Sequence, residues 1–224
     1  YDGEFTEKML DEGQTFNNYY EETKFLAEVA VQEKMGAGLP VTVYRPSIVI
    51  GDSKTGATQK YDGPYYIIQF ILRQWRMAII PVTGNARLHE VNVVPRNFVI
   101  DALDHLSRLP HSVGQVYQLC DPHPLTVDAL ISELGKVTER RLVRVPLPKI
   151  IAKGALEYVP AVQKVFRIEP EAVEYFTQPT RYSCINTLRD LADTAVQCPP
   201  VPTYLERLIA FMKKHPDLPS EPMV

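Results

Sequence analysis

The chain has 224 residues, 45% of them hydrophobic and 23% charged, with a formal net charge of -3 and a pI near 6.0. That is apolar content enough for a substantial core, as one large domain or one domain plus part of another. The acidic balance excludes the electrostatic footprint of a nucleic-acid binder. Cys120, Cys184 and Cys198 are odd in number and lack a CxxC, which excludes a disulfide framework and a zinc site and fits a reducing cytoplasm.

Residues 1–17 open on Tyr1-Asp2-Gly3-Glu4, polar and acidic, with neither an initiating Met nor a secretory signal, and read as a loop in the middle of something longer. A helix is expected from Asn18 or Tyr19 to Met35. Asn17 or Asn18 can cap it, Phe25, Leu26, Val29 and Ala30 give an apolar stripe, and Gly36-Ala37-Gly38 ends it. On this helix Tyr20 and Lys24 stand four residues apart and share a face. An ammonium beside a phenol favours the phenolate and draws the hydroxyl toward the working range of a general acid or base. In a chain with 12 Tyr this spacing also arises by chance, so it needs company.

After Leu39-Pro40 the run VTVYRPSIVIG reads as a strand buried on both faces of a parallel sheet. Pro46 cannot donate to a ladder, which places it where the strand leaves its neighbours, near the edge where open α/β sheets bind ligands. The loop GDSKTGAT has two glycines five apart, but Ala57 stands where a phosphate loop needs Lys; a mobile substrate-side loop or a plain surface turn remains.

Tyr65 to Met77 is a predicted helix rich in aromatics, in which Tyr66, Phe70 and Trp75 wall a pocket or belong to the core. The longer run Tyr65 to Ile80 is broken by Gln69, Arg73, Gln74 and Arg76 and is too short and too polar for a membrane span. A turn follows at Val82 to Ala86, then a short strand over Leu88 to Val94, with Arg87 and His89 as candidates to face a cleft. Asn97 to Leu109 has helical spacing; Gln115 to Cys120 is a short strand; Thr126 caps a helix over Val127 to Thr138; Arg141 to Val145 is a strand. Helices are expected through roughly Tyr158, over Glu169 to Phe176 and over Tyr204 to Lys214. The proline-containing tail from His215 to Val224 reads as extended or disordered.

Four features in one order, NNYYEETK on a helix, YRPSIVIG on the next strand, LHEVNVVPRNFVIDAL and then QVYQLCDPHPLTVDAL, resemble the extended short-chain dehydrogenase/reductases. The closest flavour is the thioester-reductase-like group, which GDSKTG after the strand suggests. The resemblance runs from Tyr1 to about Phe211. It implies a C-terminal portion that lacks the family's N-terminal half with its GxxGxxG loop and catalytic Ser or Thr.

What the resemblance implies about roles is specific. Tyr20 would be the general acid/base, Lys24 would hold the nicotinamide ribose and activate Tyr20, and Pro46, Ser47 and Ile48 would line the nicotinamide of NAD or NADP. Asn18 matches an Asn common two places before that Tyr. Tyr19 replaces a frequent Pro, and Arg96-Asn97 replace an apolar residue and Asp.

The expected fold is α/β: the C-terminal part of a Rossmann-type doubly wound parallel sheet plus a smaller, mostly helical substrate domain. Residues 1–50 would end the Rossmann-type domain, 51–214 would form the substrate region with about 88–120 packing back on the core, and 215–224 a flexible tail. The implied function is an NAD(P)-dependent oxidoreductase acting on a carbonyl, alcohol or acyl thioester, poorly active without its other half. A nucleotide-sugar epimerase or dehydratase is the first alternative, favoured by basic residues for a diphosphate, whereas an apolar pocket around Ile67, Phe70 and Trp75 would favour the reductase. A non-catalytic dinucleotide-binding or structural relative is the second. Expected partners are a small-molecule substrate, the missing N-terminal half and a second copy in a homodimer, with no nucleic acid and no transmembrane segment.

Overall fold

The computed structural model describes residues 1–82, 84–147 and 179–220; the helices expected through Tyr158 and over 169–176 lie outside them. The described chain runs β1 (Gly3–Phe5), α1 (Tyr19–Gly36), β2 (Val43–Pro46), β3 (Ile48–Ile50), α2 (Tyr65–Arg73) and β4 (Met77–Val82). It continues through β5 (Glu90–Val91), β6 (Val93–Pro95), α3 (Arg96–Ser107), β7 (Val116–Leu119), β8 (Leu125–Thr126) and α4 (Val127–Thr138). Last come β9 (Arg141–Pro146), β10 (Thr180–Tyr182), α5 (Ile185–Leu191) and α6 (Leu205–Lys214). The fold is α/β, and β1 with β10, β2 with β7, β3 with β6 and β4 with β9 all pair in parallel.

Local chemistry sets the element ends. Asn18 caps α1 by accepting from the Glu21 N–H at 2.9 Å, and Glu21 reaches back to the Asn17 N–H at 2.8 Å, so two otherwise orphaned donors are satisfied. Thr126 caps α4 through the Ala129 N–H at 3.2 Å. The α5 helix has no side-chain cap of its own at Cys184. Its first-turn N–H groups at Asn186 and Thr187 donate instead to the buried carboxylate of Glu7, at 2.6 and 3.2 Å, and Gln118 N–H donates to the same group at 3.0 Å.

Several expectations are corrected. The apolar run after Leu39 is two strands, because at Ser47 the chain leaves β7 as its partner and joins β6. Both strands are half-buried rather than covered on both faces, with Ile50 alone buried, since β2 has a single neighbour among the described residues and α1 buries none of its side chains. The predicted aromatic helix stops at Arg73, and Met77–Val82 becomes strand β4, where Ala78 and Ile80 point inward and Met77 and Ile79 outward. That period of two was masked by the apolar residues of the preceding helix.

The tail is held in place through Ser220: Tyr61 Oη donates to the His215 carbonyl at 2.7 Å, Tyr61 N–H to the Pro219 carbonyl at 2.8 Å, and Tyr66 Oη to the Ser220 carbonyl at 2.8 Å. Prolines remove donors, but their carbonyls still accept.

The described residues bury two apolar clusters. The larger joins α2, α4 and α6 through Tyr65, Ile71, Leu134, Leu208 and Ile209; the smaller joins α3 and β7 through Phe98, Ala102, Leu106, Tyr117 and Leu119. Tyr66 and Phe70 belong to buried positions on α2, whereas Trp75 is 83% exposed, so Ile67, Phe70 and Trp75 do not form an apolar pocket. No helix among the described residues is long and apolar enough to cross a membrane.

Candidate functional site

The strand change at Ser47 opens a cavity of about 520 Å³ between the start of the chain, the N-terminal end of α1 and the carboxyl ends of β2 and β7. Pro46, Ser47 and Ile48 line it. Their amides are already committed: Ser47 N–H donates to the Leu119 carbonyl at 3.0 Å and Ile48 N–H to the Asn92 carbonyl at 3.3 Å. Any ligand there meets side chains and carbonyls, with those two N–H groups engaged by the sheets.

Tyr20 and Lys24 stand together on the outer face of α1, with the Lys24 ammonium 5.6 Å from the centre of the Tyr20 ring. Tyr20 is 58% exposed. Neither residue lines the cavity, but Asn17 and Glu21, on the adjoining face of the same first turn, do. The opposite side of α1 is anchored by Arg45 of β2, whose guanidinium donates to Glu28 from Nε at 2.9 Å and from Nη2 at 2.7 Å. Nη2 also donates to the Met9 carbonyl at 2.8 Å, which ties the loop after β1 to the same centre. A guanidinium fork matches a carboxylate in this way because two parallel N–H groups meet two oxygens.

Much of the wall is assembled from residues to which the sequence assigned no role. Tyr1, Phe5, Phe16 and Tyr182 supply rings, and Gln14, Asn92 and Gln118 supply amides. Asn92 is fixed by a two-way clamp with the Asp121 backbone, donating to its carbonyl and accepting from its N–H, both at 2.9 Å. Burial pushes the Asp121 carboxyl up, offset in part by the His123 N–H donating to it. Arg87 and His89 do not line the cavity; their neighbour Glu90 does. No single local pattern marks these positions, because they come from five separate stretches that meet only in the fold.

The loop after β3 is a closed turn away from this cavity. Asp52 accepts from the N–H groups of Lys54 and Thr55 at 2.8 and 2.9 Å, and Arg207 of α6 donates to the Ser53 carbonyl at 3.1 Å. Those bonds hold the loop as a closed turn in which Gly51, Ser53 and Gly56 are buried. Asn97 likewise accepts from Ser53 N–H at 2.8 Å, a structural duty. The cysteines are closer than their spacing suggested: the neighbouring Cys184 thiol, together with burial, pushes the Cys120 thiol up, and Cys120 Sγ donates to the Tyr182 carbonyl at 3.8 Å. Among the described residues no group of His, Cys, Asp and Glu is arranged to hold a metal.

Residues 2–103 match the NAD-binding family model described as male sterility protein. Among curated proteins, the chain is 23% identical over 167 residues to the aldehyde reductase lnbA of Aspergillus flavus, covering 73% of this chain and 16% of that protein. It is 29% identical over 112 residues to the non-canonical nonribosomal peptide synthetase cpsA of Aspergillus campestris, covering 50% of this chain and 10% of that one. The chain therefore spans a small part of the curated relatives it matches. Among solved structures it superposes on the terminal R domain from the myxalamid PKS-NRPS biosynthetic pathway with a TM-score of 0.73 at 23% identity, covering 96% of this chain and 55% of that one. It also superposes on UDP-glucuronic acid 4-epimerase from Bacillus cereus in complex with NAD, with a TM-score of 0.63 at 13% identity, covering 96% and 56%.

Proposed function

We infer, from the match of residues 2–103 to the NAD-binding family model described as male sterility protein and from a fold shared with the terminal R domain of the myxalamid pathway, that this protein is part of an NAD(P)-dependent reductase of carbonyl or acyl-thioester substrates. The observation that carries the reading is the pairing of Tyr20 and Lys24 on an exposed helix face beside a cavity rimmed by Pro46, Ser47 and Ile48.

The residues present fit the nicotinamide end of such a cofactor. Tyr20 and Lys24 are open to a ligand, and the rim of small and apolar side chains suits a flat ring. A Gly-rich turn between strand and helix, which would cradle the diphosphate, is absent from the described residues, so that end belongs to other residues of the complete protein. The second edge of β2, without a neighbour among the described residues, is where such residues would pack.

Bound NAD(P) would supply or accept the hydride. The chain's own part is the proton: the Tyr20 hydroxyl gives it to the substrate oxygen in the reducing direction and takes it back in the other. The Lys24 ammonium, 5.6 Å from the centre of the Tyr20 ring, is placed to donate to ribose hydroxyls. Glu28 and Arg45 hold α1 at a fixed height over the cavity, so the phenol is positioned by a rigid element.

The epimerase or dehydratase alternative needs cations for a diphosphate. Arg45 is the one Lys or Arg among the described lining residues, and it is engaged by Glu28, which supports the reductase. The test is turnover of an aldehyde or acyl thioester by the full-length protein with NADH or NADPH. Tyr20→Phe should lower kcat by about 10²–10⁴-fold while leaving cofactor binding intact. Full activity in that variant, or no cofactor-dependent turnover in the parent, would refute the reading.

A further inference from the structure

The cavity has a charge character that reductase chemistry alone does not require. Among the described residues its lining carboxylates are Glu21 and Glu90, and its lining guanidinium, Arg45, is neutralised by Glu28 just behind it. Glu21 is occupied as a helix-capping group by the Asn17 backbone and side-chain N–H groups, at 2.8 and 3.2 Å. Glu90 is half-buried on β5, and no donor among the described residues reaches its carboxylate. Among the side chains of the described lining residues, two carboxylates and no uncommitted cation make a balance that disfavours an anionic ligand and stabilises a cationic one.

The aromatic wall points to the same ligand charge. Tyr1 meets Phe5 edge-on at 5.7 Å and 80°, and Phe5 meets Tyr182 edge-on at 6.4 Å and 68°. Tyr1 and Tyr182 remain 39% and 40% exposed, toward solvent and cavity. Ring faces carry negative quadrupole density and attract cations, most of all soft alkylammonium groups that lose little hydration. The molecule already uses one of these rings in this way: the Arg45 guanidinium carbon stands 5.6 Å from the centre of Phe5.

We propose that this cavity binds an organic ammonium group, held between the Glu90 carboxylate and the Tyr1, Phe5 and Tyr182 rings, and that it selects an ammonium-bearing substrate over neutral or anionic ones. The identity of the reacting carbonyl rests on the reductase reading above; the preference for positive charge is a property of the cavity itself. With about 520 Å³ of space, the ammonium is one feature of a larger substrate.

Binding separates the two claims, since it needs no turnover. Calorimetric titration of the protein with choline, with its neutral isostere 3,3-dimethylbutan-1-ol and with the anion 3,3-dimethylbutanoate compares three charges on one shape. Choline should bind at least about tenfold more tightly than the alcohol, with no measurable binding of the anion. Glu90→Gln should cut choline affinity by about tenfold and leave the alcohol unchanged, and Tyr182→Leu should weaken choline more than the alcohol. Equal binding of choline and alcohol, tighter binding of the anion, or no saturable binding of choline at millimolar concentration would overturn the proposal. The three-ligand comparison on the unsubstituted protein stands even if a variant fails to fold. A protein that selects choline yet reduces no carbonyl would uphold the cavity and sink the reductase; active reduction without charge selection would do the reverse.

Discussion

Replacing Glu7 tests how the two ends of the described chain are joined. The residue is 5% exposed, and its carboxylate accepts from Gln118 N–H at 3.0 Å, Asn186 N–H at 2.6 Å and Thr187 N–H at 3.2 Å, with the Thr187 hydroxyl at 3.3 Å as a fourth donor. Thr187 Oγ1 has a second acceptor in the Gln118 carbonyl, so Glu7→Ala strands three backbone donors in the interior. A stranded buried donor costs roughly 1–3 kcal/mol, less where water enters the space left by the side chain. The expected loss is about 3–6 kcal/mol, a large share of a typical domain's roughly 5–15 kcal/mol. Glu7→Gln keeps one acceptor oxygen but turns an NH₂ toward the other donors, for about 2–3 kcal/mol. Urea unfolding followed by circular dichroism reads both as shifts of the midpoint at constant slope. If Glu7→Ala unfolds within about 0.5 kcal/mol of the parent, the carboxylate is not the cap of α5 and the reasoning fails.

Other perturbations follow from the same geometry. Arg45→Met leaves Glu28, its side chain 18% exposed, without its cation and with the Gln32 side-chain amide as its remaining donor, and should cost about 2–4 kcal/mol in urea unfolding and loosen α1 in hydrogen exchange. Gly56 has φ +75° and a Cβ there would collide with the Arg207 carbonyl, so Gly56→Ala should lower the melting temperature by several degrees, about 1–3 kcal/mol, whereas Gly13→Ala, in open space, should lose stability mainly through its φ of +70°. The Arg189 guanidinium, with the Tyr117 hydroxyl and His111, holds the Asp190 carboxyl well below the usual carboxylate range. A depressed folded-state pKa gives stability that is complete above the unfolded value near 3.9 and is lost as pH falls toward the folded one. Acid titration of stability should therefore be shallower below about pH 4 in Asp190→Asn than in the parent. Burial pushes the Tyr65 phenol up to about 12, so the stability it contributes is present below about pH 10 and is lost as pH rises toward that value; Tyr65→Phe should flatten this alkaline limb.

How much was legible depended on how local the determining chemistry was. The ends of α1 and α4 were readable because Asn18 and Thr126 act on N–H groups three residues away. Strand β4 was lost because Met77 to Val82 follows an apolar helix without a polar break, and its alternation shows only once Ala78 and Ile80 have a core to face. The α5 helix was missed for a different reason: its cap is Glu7, and nothing near Cys184 announces it. In the site, Pro46, Ser47 and Ile48 were singled out by the family resemblance and not by spacing, and all three line the cavity. Tyr182 and Glu90 carry no spacing signal, since each becomes a wall residue through pairing with a distant strand, Tyr182 with Phe5 and Glu90 with Thr126.

The pairing of β1 with β10 sets a kinetic order. Gly3 lies opposite Thr180, and Thr180 Oγ1 donates to the Tyr1 carbonyl across 179 residues of sequence. Loop-closure entropy for such a span must be met before a three-residue ladder returns anything, although each doubling of the loop adds only about 0.6 kcal/mol. A pairing so short and so remote forms after the local helices and gains its foothold from what they have already assembled. Until it closes, Tyr182 stands apart from Tyr1 and Phe5, so the three-ring wall is complete only once this ladder has formed.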